Sequence, residues 1–238
     1  MVSINEQILI IIERIKKMNF TLSPAIKQLC PSFKMGIIQY KNIEIGDSPQ
    51  MLKGRLRLFQ ESIYFDLESK KVTEFEGVSE WRKLFKTFGT DPSKYRPSIE
   101  ALIRRIGKQT YLPSINSAVD INNFFSLQYE VPIGIYDSSN LEGPIEFTIG
   151  KKEESYEALN ERNISLENKI ISKDALGAFG SPYVDSNRAY VTEKTTQAVQ
   201  FIYLKPSLSE EQAYKLTKSL SDMFIQIHGG EAAYKVIN

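Results

Sequence analysis

Hydrophobic residues along this chain follow helical spacing in some segments and strand spacing in others. In six segments apolar positions recur at intervals of three and four, a period that predicts helices. These segments are residues 3–18, 51–65, 78–88, 97–106 and 209–228, together with one that opens at residues 112–114. Short apolar or alternating runs, which are typical of strands, occupy five others: residues 33–40, 133–135, 145–149, 170–174 and 199–203. The charged stretch 151–163 is predicted to be a surface hairpin or loop. This order of elements predicts an α+β fold, with mixed sheets and packed helices in one continuous domain.

The isoleucine-rich segment near the N-terminus is predicted to be a separate helix. Ser3 and Glu6 have the spacing of a capping box, and isoleucines at positions 8, 11, 12 and 15 follow with helical period. The apolar face could pack on the rest of the chain or on a second copy of it, and the first arrangement is the simpler. The expected organisation is a helical extension over residues 1–20 and one domain over residues 21–238 that ends in a helix.

Turn residues bracket a short amphipathic helix in the middle of the chain. Pro97 suits the first turn of a helix, where its missing N–H is harmless, and Gly107 is a natural end. Arg104 and Arg105 fall in the last turn, where positive charge interacts favourably with the helix dipole. We interpret this arginine pair as a solvated helix end rather than as an RNA contact.

The charge balance and the scarcity of cysteine and histidine narrow the classes of function. The 238 residues include 30 basic and 29 acidic side chains, which disfavours a general nucleic-acid coat and leaves room for a local RNA-binding patch. Cys30 and His228 are the single cysteine and histidine, so a zinc site built from such side chains is almost excluded. A lone cysteine also fits a reducing cytoplasm, and a histidine-based catalytic triad would have to use His228.

Sequence signatures of membranes, cofactors and serine hydrolases are missing. The apolar run over residues 8–12 is far shorter than the roughly 20 residues that span a bilayer, and we expect neither a signal peptide nor a membrane anchor. The chain has no phosphate-binding loop, no dinucleotide-binding glycine motif, no zinc-protease motif and no G-x-S-x-G elbow. We therefore predict a cytoplasmic protein that uses no cofactor and no metal.

Three polar residues in the segment after residue 112 have the spacing of one helical face. Asn116, Asp120 and Asn123 lie at i, i+4 and i+7. The carboxylate could bind an ammonium group such as the α-amine of an amino acid, and the amides could bind a carbonyl or a ribose. The alternative is structural: Asn116 caps the helix, Asp120 supports its first turn and Asn123 faces water. Helix statistics alone favour this alternative.

A second polar group occupies the stretch from Asp185 to Arg188. Arg188 could hold a carboxylate or a phosphate through its planar fork, although Asp, Ser and Asn are also common in surface turns. Asp174 ends an apolar, strand-like run. That position is common both for a site residue and for a turn residue.

Three runs in the middle of the chain resemble a known module. They read FGTDPSKYRPSIEALIRR from residue 88, LPSINSAVDINN from residue 112 and SLQYEVPIGIYD from residue 126. The pattern is similar to the B-three/B-four domain of the phenylalanyl-tRNA synthetase β subunit, and especially to free-standing bacterial proteins that consist of this domain alone. The strand into Asp174, the DSNR loop at residues 185–188, and the last strand and helix follow in the same order.

The resemblance implies an α+β fold with a pocket between its two halves and a function in tRNA editing. In the synthetase this region binds the aminoacyl end of tRNA and hydrolyses tyrosine wrongly attached to phenylalanine tRNA. It acts as a second sieve that needs neither a metal nor a covalent nucleophile. Asn116 and Asp120 are the catalytic candidates that follow. The candidates for substrate binding are Ser98, Asn123, Asp174, Asp185 and Arg188.

The chain also departs from the synthetase. It is too short for an aminoacylation core and lacks class II synthetase motifs, so we do not expect it to make aminoacyl-tRNA. It has no histidine before His228, whereas the synthetase editing site contains one, so a hydrolytic water would be oriented by Asp120, Asn116 or a substrate hydroxyl.

Three hypotheses about function remain. The first is a stand-alone deacylase of misacylated tRNA, or a binder of aminoacyl-tRNA. The second is a non-catalytic module that binds an amino acid, a nucleotide or RNA. The third is an interaction protein that forms a homodimer through its N-terminal helix.

Overall fold

The computed structural model of the chain describes residues 18–238, so the helix predicted over residues 3–18 lies outside the described residues except for its last position. Six α-helices are present in the described part: α1 (Pro24–Leu29), α2 (Gln50–Asp66), α3 (Glu76–Thr87), α4 (Ser98–Ile106), α5 (Ser117–Tyr129) and α6 (Glu210–His228). Two single 3₁₀ turns accompany them, at Val72–Glu74 and Ser138–Asn140. None of the helices within residues 18–238 combines the length and the apolar character needed to cross a membrane.

Ten strands of the described residues form two four-stranded sheets and a hairpin. They are β1 (Phe20–Leu22), β2 (Met35–Lys41), β3 (Ile133–Asp137), β4 (Ile145–Ile149), β5 (Ser155–Glu157), β6 (Asn163–Ser165), β7 (Ile170–Asp174), β8 (Gly177–Gly180), β9 (Gln197–Tyr203) and β10 (Glu231–Ile237). The first sheet has the order β10-β2-β9-β3, and all its pairs are antiparallel. The second has the order β1-β4-β7-β8, in which only β1 and β4 are parallel. Strands β5 and β6 form the hairpin.

An aromatic core joins the two sheets. Phe201 of β9 lies in the middle of the first sheet and pairs in register with Ile37 on one side and Gly134 on the other. Its ring meets the rings of three residues from the second sheet at centroid distances of 4.9 to 6.1 Å: Phe20, Phe147 and Phe179. Because rings from both sheets meet at one buried residue, the two sheets share a single hydrophobic interior.

The opposite face of the first sheet is covered by helices. Ile38 of β2 and Ile202 of β9 belong to a second buried cluster, to which α5 contributes Ile121 and α6 contributes Phe224. A third cluster lies among the helices themselves and includes residues of α2, α4 and α5. The fold therefore stacks the second sheet, the first sheet and the helices, and α5 and β3 lie next to each other where the second and third layers meet.

The prediction of an α+β fold with mixed sheets is confirmed. Four predicted helices agree with α2, α3, α4 and α6 to within two residues at each end. The helix predicted to open at residues 112–114 begins later, at Ser117. The reason is local: Ser114 and Ile115 donate hydrogen bonds to the side chain of Asp120, and this holds them outside the helix. The pattern missed α1, β1, β8 and β10, while the stretch predicted as a surface hairpin or loop does contribute to the β5–β6 hairpin.

Candidate functional site

A mostly apolar cavity lies where the start of α5, strand β3 and the loop before β9 meet. Its volume is about 360 Å³, which is within the range of small-molecule sites. Most of the wall is formed by apolar side chains: Ile115, Val119, Ile133, Ile135, Leu159 and Val191. Four side chains bring carboxylate or amide groups to it: Asn116, Asn122, Asn123 and Asp185. A few convergent polar groups in an apolar cavity are typical of a ligand site.

Asn116 begins α5 and also borders the cavity. Its side-chain oxygen accepts a hydrogen bond from the backbone N–H of Val119 at 2.9 Å, so the residue is the N-cap of the helix. The cap satisfies one of the N–H groups that every helix start leaves without a partner. Asn116 therefore has the structural role of the alternative interpretation, and its half-buried side chain still lines the cavity.

Asn122 and Asn123 bring two adjacent amides to the same cavity. Asn122 is held by a buried polar chain, because its side-chain oxygen accepts from Gln200 and Gln200 in turn accepts from the hydroxyl of Tyr40 at 2.6 Å. The amide nitrogen of Asn122 has no hydrogen-bond partner among residues 18–238. Asn123 is half-buried, and its side chain likewise makes no hydrogen bond within the described part of the chain. Both residues can therefore donate hydrogen bonds to a ligand.

Asp185 supplies the carboxylate of the cavity. Its Oδ1 accepts from the hydroxyl of Tyr136 at 2.7 Å and from the backbone N–H of Ser181 at 3.2 Å. Its Oδ2 accepts from no residue within 18–238. Burial raises the pKa of Asp185 to about 6, and this outweighs the hydrogen bonds from Tyr136 and Ser181, which lower it. The carboxyl group thus titrates close to neutral pH with one oxygen free.

Two glycines make room for the tyrosine that holds Asp185. A Cβ atom at Gly134 or at Gly180 would lie 2.2 Å from the hydroxyl oxygen of Tyr136. Because that distance is far below van der Waals contact, a side chain at either position would push the hydroxyl out of place. Tyr136 of β3 can therefore hold Asp185 because Gly134 of its own strand and Gly180 of β8 leave space for its hydroxyl.

Asp120 lies on the other side of α5 and does not border the cavity. Its side chain is fully buried and accepts from the hydroxyls of Ser48 and Ser114, each at 2.5 Å, and from the N–H of Ile115 at 3.0 Å. The expected common face fails because Asn116 is the cap, with extended backbone angles of φ −155° and ψ 168°, and lies outside the helical spiral. Asn116 and Asn123 meet at the cavity, and Asp120 does not join them.

Asp174 and Arg188 bind each other. The guanidinium donates to both carboxylate oxygens, at 2.8 and 3.1 Å, and also to the carbonyl of Gly177 at 3.1 Å. Burial pushes the pKa of Asp174 upward, but hydrogen bonds from Arg188 and from the N–H of Glu142, together with the positive charge, hold it below its usual value. The fork of Arg188 is thus occupied by a carboxylate of the same chain, and neither residue lines the cavity.

Ser98 lies behind the loop that carries Asp185. It is the first residue of α4, and its backbone N–H donates to the carbonyl of Pro182 at 2.8 Å. It does not line the cavity. Ser98 therefore ties the loop to the helix layer.

The single histidine is part of the framework that holds the start of α5. His228 is buried at the end of α6, with Nδ1 at 2.8 Å from the carbonyl oxygen of Phe224 and Nε2 at 2.8 Å from Oγ of Ser117. A carbonyl can only accept, so Nδ1 carries the proton and neutral Nε2 accepts from the serine. Burial lowers the pKa of His228, although the bond to Phe224 raises it in part. His228 thus contacts the residue next to Asn116 from outside the cavity.

No cluster of three or more His, Cys, Asp and Glu side chains within residues 18–238 has the arrangement of a metal site. Cys30 is a free, half-buried thiol 3.7 Å from the hydroxyl of Ser32. The chemistry of the cavity therefore comes from its amides and its one carboxylate.

The sequence pattern selected three of the four amide or carboxylate residues at the cavity: Asn116, Asn123 and Asp185. It missed Asn122, which lies outside the i, i+4, i+7 series. The available signal was Gln200, a polar residue inside the apolar run of β9, since a buried amide in a strand needs a hydrogen-bonding partner.

The sequence of this chain matches a known protein family. Residues 80–226 match the model of the B3/4 domain. The chain belongs to the B3/4 domain family. It is 36% identical over 213 residues to the uncharacterized protein YhzB of Bacillus subtilis, and the match covers 90% of this chain and 96% of that one. The predicted resemblance to free-standing proteins of this domain is therefore confirmed.

This B3/4 chain is also similar to beta subunits of phenylalanine–tRNA ligases. The phenylalanine–tRNA ligase beta subunit of Neisseria meningitidis is 30% identical over 87 residues, which cover 36% of this chain and 11% of that subunit. An N-terminal fragment of the phenylalanyl-tRNA synthetase beta subunit from Pyrococcus horikoshii has a TM-score of 0.44 and 15% identity, over 92% of this chain and 52% of the fragment. The match to the Neisseria subunit thus spans about a tenth of that subunit's length.

Proposed function

We propose that this B3/4 protein acts on tRNA in trans, by binding a misattached aminoacyl group in the cavity and hydrolysing its ester. The observation that carries the proposal is the convergence of Asn122, Asn123 and Asp185 on one mostly apolar cavity. Apolar walls suit an amino-acid side chain, and the amides suit the carbonyl and hydroxyl groups at the end of a charged tRNA. The cytoplasm that the single cysteine predicts is the compartment in which such a substrate occurs.

Asp185 is the residue suited to activate water. A general base works best when its pKa is near the working pH, and burial raises the pKa of this carboxyl to about 6. Its free Oδ2 takes a proton from water as the water oxygen attacks the ester carbonyl carbon. The bond from that carbon to the ribose oxygen then breaks, and the ribose oxygen receives the proton. The products are the free amino acid and uncharged tRNA.

The amide groups position the ester during this step. The side-chain oxygen of Asn122 accepts a hydrogen bond from Gln200, which Tyr40 holds in turn. These two bonds fix the orientation of the free amide nitrogen of Asn122. Donors fixed in advance stabilise the negative charge that develops on a carbonyl oxygen without having to reorganise. Asn116 contributes less, because its side-chain oxygen already caps α5. Asp120 acts as the support of the helix start rather than as a catalytic group.

The test is release of the amino acid from tyrosyl-tRNA specific for phenylalanine and from other mischarged tRNAs. We expect hydrolysis above buffer, and Asp185→Asn should lower the rate by about 100-fold or more. Asp47→Asn is the matched control, since it makes the same chemical change at an exposed residue that does not line the cavity. Absence of ester cleavage with every mischarged tRNA would overturn the proposal of catalysis.

A non-catalytic binding module is the second candidate. One observation favours it: within residues 18–238, Asp185 is the single carboxylate that lines the cavity. Catalysis would therefore depend on one group, whereas binding would not. Amino acids and nucleosides can be screened by thermal shift, and a ligand at a hundred times its Kd adds about 2.7 kcal/mol to the free energy of unfolding. Under this alternative, Asn123→Ala abolishes the shift, and no ester is cleaved by the wild type.

Dimerisation is a separate part of the proposal and concerns the isoleucine-rich N-terminal segment. Deletion of residues 3–18 should convert a dimer to a monomer in size-exclusion chromatography if that segment is the dimer face. An elution volume that corresponds to a monomer before and after the deletion would remove this part.

A further inference from the structure

A strongly basic surface surrounds two neighbouring concavities beside α4. The concavities have volumes of about 610 and 290 Å³ and share Arg96, Arg104 and Lys108 at their border. Together they define what we call the basic face: Lys70, Lys71, Lys94, Arg96, Arg104, Arg105 and Lys108. Because the whole chain carries 30 basic and 29 acidic residues, this face is a local concentration of positive charge that the net charge conceals.

Acidic residues neutralise only part of the basic face. Glu100 is fully buried beneath it and takes ion pairs from Arg82 at 2.9 Å, Arg104 at 2.8 Å and Arg96 at 3.9 Å. Arg105 and Lys108 are exposed and form no ion pair with any residue within 18–238. One carboxylate is thus shared by three guanidinium groups, and the remaining charge faces solvent.

Three acidic residues at the margin of the basic face interact with its outer lysines or with the backbone beside them. Asp66 lies 3.7 Å from the ammonium of Lys70, and the carboxylate of Glu74 accepts from the backbone N–H of Lys71 at 2.8 Å. The charge of Lys94 helps to lower the pKa of Asp91, which is set first by the backbone N–H of Ser93. Arg105 and Lys108 are exposed and take no part in these contacts, so they are the residues most available to an anion.

Two tyrosines stand among the basic side chains. Tyr183 borders the smaller concavity and meets Tyr95 edge to face, at a centroid distance of 5.5 Å. Tyr95 lies between Lys94 and Arg96 in the chain, and both tyrosines are partly exposed. The ammonium of Lys169 lies 3.6 Å from the centroid of the Tyr95 ring, so Tyr183 is the ring more available to a base. Cations for phosphates together with aromatic rings for bases are the combination by which proteins bind single-stranded nucleic acid. This combination favours RNA over a lipid surface or a phosphopeptide.

The loop before β9 connects the basic face to the cavity. Tyr183 borders the basic face, and Asp185, two residues later, lines the cavity. Two residues span at most about 7 Å, so this loop carries one residue of each surface within that distance. Pro182 between them accepts a hydrogen bond from the N–H of Ser98 at 2.8 Å, which attaches the loop to the start of α4.

We propose that the basic face binds the sugar–phosphate backbone at the 3′ end of a tRNA, so that the terminal aminoacyl ester reaches the adjoining cavity. This inference rests on the proposed function, because it supplies the binding surface for the same substrate. It revises the interpretation of Arg105 as a solvated helix end, because its charge has no acidic partner within residues 18–238 and is available to a phosphate.

The test measures binding of uncharged tRNA by fluorescence anisotropy between about 50 and 200 mM salt. The double variant Arg105→Ala, Lys108→Ala should weaken binding about tenfold or more and reduce the slope of log affinity against log salt by about 1 to 2. The matched control is Lys27→Ala, Lys215→Ala, which removes two exposed charges from α1 and α6. It should leave both quantities unchanged.

The outcomes separate this inference from the proposed hydrolysis, since uncharged tRNA contains no ester. Selective loss of tRNA binding in the first double variant supports the basic face even if no ester is cleaved by the wild type. Equal tRNA binding by the wild type and both double variants overturns the basic face, even where ester cleavage is observed. Binding of the wild type to phosphatidylserine vesicles but not to tRNA would also overturn it, in favour of a membrane surface.

Discussion

At the scale of single residues, the packing around Asp185 sets the pKa of the carboxyl group that we propose as the general base. Its pKa of about 6 results from burial, and the hydrogen bond from Tyr136 moderates that rise. The tyrosine can make this bond because Gly134 and Gly180 leave space for its hydroxyl. Besides burial, three residues on two strands therefore influence whether Asp185 is charged at neutral pH.

The pH profile of hydrolysis should respond to Tyr136. Asp185 must be deprotonated to accept a proton from water, so the wild-type rate should rise with pH and level off above about 6. Tyr136→Phe removes a hydrogen bond that lowers the pKa of Asp185, and the midpoint should shift to higher pH. Tyr64→Phe is the control, since its hydroxyl contacts Gln109 instead. Identical midpoints in the wild type and Tyr136→Phe would contradict this role.

Stability at low pH should depend on His228. Burial holds its pKa below the ordinary value, so the unfolded chain binds a proton more readily than the folded chain. The stabilising contribution of the neutral histidine is complete above the unfolded pKa of about 6.5 and is lost as pH falls below it. Asp185 has the opposite dependence, because its raised pKa stabilises the fold at low pH and this contribution is lost as pH rises through about 6.

The comparison of wild type with His228→Gln isolates the histidine. The chain has one histidine, and the contribution of Asp185 cancels in the difference between the two proteins. Chemical unfolding at several pH values should show the advantage of the wild type shrinking from pH 7 to pH 5. A difference that stays constant over this range would show that His228 does not titrate as its burial implies.

Residue patterns could identify part of the cavity and not the rest. Spacing selected Asn116 and Asn123, and loop chemistry selected Asp185, because these signals are local in the chain. Spacing also selected Asp120, whose carboxylate instead faces Ser114 and Ile115 before the helix and Ser48, far away in sequence. Whether a polar side chain faces a cavity or a buried partner depends on such distant contacts, which no helical period contains.

At the scale of elements, Asp120 determines where α5 begins. Its three donors come from Ser48, Ser114 and Ile115, so it fixes the segment before the helix and attaches it to the segment before α2. The cap residue Asn116 lies inside this arrangement. The position of the cavity amides therefore depends on a carboxylate that does not touch the cavity.

Asp120→Asn should act on stability first. An amide cannot accept from all three donors, and leaving buried donors without partners should lower the free energy of unfolding by about 2 to 3 kcal/mol. Urea unfolding measures this, with Asp47→Asn, at an exposed position, as the control. If Asp120 were catalytic, the variant would instead lose hydrolysis at an unchanged free energy of unfolding.

Element prediction succeeded where the hydrophobic signal was long. Helices α3, α4 and α6 each have a buried apolar stripe and recognisable end residues, such as Ser209 with Gln212 at α6. Strands β1 and β8 have three and four residues, too few for alternation to be visible. Strand β10 is longer, but most of its residues are only half-buried at the edge of a sheet, so polar and apolar positions are mixed.

At the scale of the whole molecule, neither the basic face nor the aromatic core could be predicted from the sequence, and the reason is the same for both. A net charge of +1 gives no indication that Arg105 and Lys108 stand together without acids. Aromatic residues at positions 20, 147, 179 and 201 likewise gave no indication that they meet at one point. Both features depend on contacts between elements: Arg82 of α3 shares Glu100 with Arg104 of α4, and the aromatic rings come from both sheets.

The aromatic core should make the two sheets unfold together. Phe201 is fully buried and meets rings from both sheets, so Phe201→Ala removes contacts on both sides and leaves a cavity between them. We expect a loss of about 3 to 5 kcal/mol in the free energy of unfolding. Far-ultraviolet and near-ultraviolet circular dichroism should still report one shared midpoint, because neither sheet can bury its inner face without the other.

Phe65→Ala is the control for this core substitution. Phe65 is 64% exposed on α2, so the same loss of a ring should change the unfolding free energy by less than about 0.5 kcal/mol. Two separate transitions in Phe201→Ala would mean that each sheet is stable by itself. The site at Asp185 would then depend on two independently folding halves, since Tyr136 belongs to the first sheet while Gly180, which makes room for its hydroxyl, belongs to the second. A single transition instead makes the geometry at Asp185 a property of the whole assembled fold.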